Sequence, residues 1–158
     1  MSAQISLAQH SLANSRFGQS RDPLQNRKAA VNAFNRARNR GAWRALLARL
    51  MRRSTQLQHY GAKNQRAAQQ TTRGIQTVAL DQVIGSEGRS HDFDAQFWPL
   101  KEHNRDRWVN IATAMAGGKP LPPVQLIQTA GGYVVRDGHH RLSVARAFGR
   151  AVIEAEIV

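Results

Sequence analysis

The sequence predicts an α+β fold: a small β-sheet with flanking helices, preceded by a basic, mainly helical N-terminal arm. Three observations carry this. The second half of the chain alternates strand-like and helix-periodic segments. One junction there, Asp137-Gly138-His139-His140-Arg141, reads as strand, tight turn, helix. The charge is one-sided. Residues 1–75 hold 14 Lys+Arg against one acid, Asp22, whereas residues 76–158 hold 9 of each sign, so the formal +13 of this 158-residue chain belongs to the first half.

Residues 1–21 are small, polar and without sustained periodicity, so disorder is expected. They lack the apolar core of a signal peptide, and no apolar run is long enough to span a membrane. A cytoplasmic location is expected, nucleoid-associated if the arm holds DNA. Asp22-Pro23 starts a helix: a capping acid, then proline at the first helical position. Ala30, Ala33, Phe34 and Ala37 share one face, and the helix is expected to run to Asn39, where Gly41 interrupts it. Trp43, Leu46, Leu47, Leu50 and Met51 then form an apolar stripe. That stripe is expected to pack on the globular domain or on its copy in a homodimer. Ser54 to Gly74 is Gln/Thr-rich and reads as helix or linker. The chain thus divides into a tail (1–21), an arm (22–75) and a neutral domain (76–158) expected to fold without the arm.

In that domain, Gln76 to Ile84 is strand-like. Asn104 to Ala116 is a helix with Trp108, Ile111, Ala112 and Met115 on its apolar side, ended by Gly117-Gly118. Val124 to Thr129 and Tyr133 to Arg136 form a hairpin around Ala130-Gly131-Gly132. Leu142 to Phe148 is helix and Val152 to Val158 is strand. Asp92 and Asp94 are expected to cap a helix over Phe93 to Leu100.

The basic arm suits nucleic acid, an anionic membrane surface or an acidic partner. Nucleic acid bound without sequence preference is the leading expectation, with Arg36, Arg38, Arg40, Arg44, Arg49, Arg52 and Arg53 as its contacts. The turn at 137–141 has the chemistry of an anion site. A helix N-terminus offers free N–H groups and positive potential, and Gly138 allows close approach. Arg141 offers a planar fork to phosphate oxygens. His139 and His140 can donate hydrogen bonds or exchange protons near neutral pH. The loop Gly85-Ser86-Glu87-Gly88-Arg89 adds a second candidate cation, Arg89, and Glu87, a candidate general base or Mg2+ ligand. Zinc is disfavoured at the histidines, since neighbouring helix-start residues diverge and no ligand set accompanies them. Ser143 and Asp137 flank them without making a triad.

From Leu80 to Val158 the chain resembles the N-terminal domain of the ParB/sulfiredoxin superfamily. The matching pieces stand in order: Leu80-Asp81-Gln82-Val83, Phe93-Asp94, the helix through Trp108 and Ile111, Leu121-Pro122-Pro123-Val124, Gly132-Tyr133-Val134-Val135, Gly138-His139-His140-Arg141 and Gly149. The resemblance implies a small mixed β-sheet. It implies a nucleoside di- or triphosphate (ATP, ADP or CTP, with Mg2+) at the turn, held by Gly138, His139, His140, Arg141 and Arg89. An ungapped count adds Thr113, where sulfiredoxins place a threonine facing ATP. It also implies a neighbouring loop acid, Glu87, and His140 as candidate catalytic groups. Departures narrow it. With no cysteine anywhere, sulfiredoxin chemistry lacks its thiolate. Partition proteins carry an acid where His139 stands, which sets this turn apart from CTP hydrolysis. The expectation is a ParB-like nucleotide-binding protein associated with DNA. The alternatives are an ATP- or ADP-dependent small-molecule kinase with Glu87 as base, and a ParB-like nuclease.

Overall fold

The computed structural model describes residues 22–60 and 74–158. The expectations for residues 1–21, and for 61–73 in the arm, lie outside the described residues. Helix α1 is Pro23–Leu50, α2 Arg105–Ala116 and α3 His139–Ala147. The strands are β1 Gln58–His59, β2 Ile75–Ala79, β3 Val83–Ser86, β4 Val124–Thr129, β5 Gly132–Asp137 and β6 Val152–Ile157. They form one mixed sheet in the order β1-β3-β5-β4-β6-β2. β1, β3 and β5 are mutually parallel, and β5 turns back on β4 as the expected hairpin. β4 is parallel to β6, which pairs antiparallel with β2.

α1 begins as its sequence dictates. The Asp22 side chain accepts from Leu24 N at 2.9 Å, and Pro23 occupies the first turn. The helix does not stop at Gly41. It runs on to Leu50, and Gly41 is buried in it. A Cβ there would lie 3.2 Å from Trp98 Cβ and 3.3 Å from a Leu100 methyl. Glycine costs a helix about 1 kcal/mol against alanine, and here it admits the 98–100 segment against the helix backbone.

The front of α1 is part of the core. Phe34 meets Trp108 of α2 edge to face at 5.5 Å, and both are fully buried with Ala30, Ala33 and Ala37. Small residues let the two helices approach closely. Removing α1 would therefore strip the cover from Trp108, against the expectation of a self-sufficient 76–158 domain. The apolar stripe behaves oppositely. Trp43 is 65% exposed and Leu50 82%, with Leu46, Leu47 and Met51 also outside. It lies on the helix side opposite Phe34, so it does not pack on the domain as expected.

Two other expectations change. The Gln76–Ile84 strand is broken by a 3-10 turn at Leu80–Gln82. Its halves separate, β2 to one edge of the sheet and β3 to the interior. No helix covers Phe93 to Leu100. Asp94 instead accepts from Gln96 N and Trp98 N, both at 2.9 Å, and closes a turn. Among the described residues, no helix is long and apolar enough to cross a membrane.

Candidate functional site

The parallel strands β1, β3 and β5 end on one edge of the sheet. Ligands of sheets with parallel strands collect outside such carboxyl ends. The loop after β3 and the turn after β5 meet there, with Glu87 N donating to Val135 O at 2.9 Å. Gly138 has φ 95° and ψ 20°, a conformation that side chains resist. A Cβ on it would sit 2.6 Å from a Val124 methyl. Glycine is thus required twice, by dihedral and by space. Among the described residues no side chain caps α3, so the first-turn N–H groups keep their capacity for a ligand.

The two histidines do not reach outward as expected. Each is 4% exposed. His139 Nε2 lies 2.6 Å from Ser86 Oγ, and its ring stacks on Phe93. Ser86 Oγ also donates to Gly88 O, so it accepts from His139. His140 Nε2 donates to Asn104 Oδ1 at 3.2 Å and meets the edge of Phe93. Burial, then the charge of Arg89, lowers the His139 pKa to about 4. Burial, then Arg107, Arg89 and His139, lowers that of His140 to about 4. Both rings are neutral at pH 7. They brace the turn from inside, and His140 lies too deep for open proton exchange.

Arg141 is also engaged. Its Nη1 donates to Pro122 O at 2.5 Å and Pro123 O at 2.7 Å, and its Nη2 to Asp137 at 2.6 Å. The guanidinium ties the loop before β4 to the turn and lines a separate cleft with Lys119 and Arg150. Arg89 is exposed, has φ 37°, and lies 3.5 Å from Asp92. It lines a cleft of about 520 Å³ between residues 54–59 and 88–91, beside the ends of β1 and β3. Thr113 donates to Val109 O within α2, the usual back-bond of a helix threonine. Glu87 accepts from Arg136 Nε at 2.9 Å, which holds the candidate base in an ion pair.

The sequence brings Gly138, His139, His140 and Arg89 together as expected. It leaves Thr113 tied to its own helix and turns Arg141 toward the protein. Three residues of the site were not foreseen: Ser86, Phe93 and Asn104. Only Ser86 stood in a stretch marked by its glycines. Asn104 stood only as the first residue of an expected helix, yet its side chain faces His140, and among the described residues its buried Nδ2 has no hydrogen-bond partner.

The donor set does not fit direct Mg2+ ligation. Among the described residues no three His, Asp or Glu side chains converge. Asp137, Glu87 and Asp92 each face a guanidinium.

The arginines of α1 differ among themselves. Arg38 pairs with Glu102, and Arg44 Nε lies 3.2 Å from the buried Asp94. Arg40 lies over the Trp98 ring. Arg36 and Arg49 are exposed, as are Arg52 and Arg53 just beyond the helix. Comparison with known proteins finds no matching family model, no matching curated protein and no matching solved structure.

Proposed function

We propose that this chain is a nucleotide-binding protein of ParB/sulfiredoxin type, associated with nucleic acid through the basic face of α1. The observation that carries the first part is the uncapped N-terminus of α3 behind Gly138, at the carboxyl edge of three parallel strands. Backbone N–H groups there suit phosphate. Arg89 is the exposed cation beside them, and Arg141 sets the turn rather than gripping the ligand. The buried histidines keep the cradle rigid and uncharged.

The second part is supported by the helix itself. From Pro23 to Leu50 it carries no acid, and phosphate contacts of this kind weaken steeply with salt.

A thermal-shift panel of ATP, ADP, CTP and GTP with Mg2+ tests the nucleotide site. A ligand at 100 times its Kd adds about 2.7 kcal/mol of stability. Arg89→Gln, at an exposed position, is expected to weaken that nucleotide roughly tenfold while leaving the apo protein's Tm unchanged. The proposal fails if no nucleotide raises the Tm of wild type.

A further inference from the structure

We infer that the opposite end of α3 holds a second site, for a phosphate-bearing ligand that also carries an aromatic base. A cleft of about 370 Å³ opens there between α1, Trp98 and the end of α3. Arg36 and Arg40 enter it one helical turn apart on α1, and Arg146 enters from α3. Among the described residues, no acidic side chain lines it. Among the described residues, none of the three arginines has a carboxylate within ion-pair distance.

The ordinary reason for an arginine at this place explains only one of them. Arg146 complements the negative end of its own helix. Arg36 and Arg40 come from the middle of α1, where no such field calls for them. Three like charges around one hollow repel unless an anion enters.

The arginines are also partly prearranged. Arg146 Nη2 donates to Leu80 O at 2.5 Å and its guanidinium lies over Phe97, while its Nε is buried without a hydrogen-bond partner. Burial works against the Arg146 charge, whereas Asp94 and Asp81 support it. Arg40 lies 5.5 Å over the Trp98 ring. A partly buried indole beside guanidinium groups is the pairing that stacks a base and grips its phosphate.

Either a nucleic-acid strand or a free nucleotide presents that chemistry. The first source rests on the nucleic-acid reading of α1. The site stands apart from the Gly138 turn, since α3 has nine residues and rises about 12 Å between its ends.

Trp98 emission is the readout, in the full chain carrying Trp43→Phe; Trp108 is fully buried. The probes are a short oligothymidylate, ATP and pyrophosphate. Saturable quenching by the oligothymidylate or ATP is expected. Arg36→Gln with Arg40→Gln is expected to weaken it roughly tenfold or more, and Arg89→Gln to leave it unchanged. Quenching by the oligothymidylate alone identifies a nucleic-acid strand, and quenching by ATP alone a nucleotide. Pyrophosphate binding as tightly as ATP overturns the stacking role of Trp98. If nucleic acid binds in a gel-shift assay while Trp98 is silent, or the double variant binds as wild type does, the cleft assignment is wrong and the reading of α1 survives. If no nucleic acid binds by any readout, that reading falls as well.

Discussion

α1 and α3 are both basic helices, and they treat their basic residues in opposite ways. α1 keeps its guanidinium groups at the rim or outside, and its buried face is Ala30, Ala33, Phe34, Ala37 and Gly41 with one neutral polar residue, Asn26. α3 takes His139, His140 and Ser143 fully inside. Each has a matched neighbour: Ser86, Asn104 and, for Ser143, the indole N–H of Trp108 at 2.9 Å. Arginine keeps its charge at any relevant pH, and burying an unpaired charge is prohibitive. Histidine can shed its proton and enter the core neutral. The residue that can change charge is the one the fold can hide.

Three measurements press on that contrast. The largest effect is expected at the anchor of α1. Phe34→Ala should lose about 3–5 kcal/mol in urea unfolding. A loss under about 1 kcal/mol would mean α1 merely rests on the surface. Acid is expected to act through α3. The folded histidines titrate at about 4 against an ordinary 6.5. The unfolded chain therefore binds more protons in that window. Stability from neutral burial is full above pH 6.5 and is lost as pH falls toward 4. The Tm of wild type should drop between pH 7 and 5, and that of His139→Gln should drop less. Equal slopes would show that the ring is not held neutral. The smallest effect belongs to the far side of α1. Leu50→Glu should change stability by no more than about 0.5 kcal/mol, and a loss of several would show that the stripe is covered in solution.

The fold class was legible because periodicity changes along the second half and turn residues mark the joins. Asp22-Pro23 and Gly131-Gly132 announce their elements through local chemistry alone. Gly41 misled because a helix glycine has two meanings, break or close approach, and only the neighbour Trp98 decides. The Trp43–Met51 stripe misled for a related reason. Its pattern shows which residues share a face, not which face meets the core, and Ala30, Ala33 and Ala37 allow the closer contact. The strand over residues 76–84 looked continuous because apolar residues flank Asp81-Gln82 on both sides, Val78-Ala79-Leu80 before and Val83-Ile84 after. At the site, Gly138 was legible because its backbone demand is local. The inward aim of His139 and His140 was not, since Phe93 and Asn104 reach them from distant parts of the chain.

The sheet order also constrains when this protein can become itself. Among the described residues β2 is an edge strand, and its ladder runs along β6, Ile75 opposite Glu156 and Ala79 opposite Val152. On a ribosome, chain emerges at about 5–20 residues per second, N-terminal part first. β2 therefore waits through the synthesis of α2, β3, β4, β5 and α3 before its partner exists. Closing so long a loop slows folding more than it weakens the finished structure. During that interval β2 offers an unpaired edge, a template on which another chain can pair.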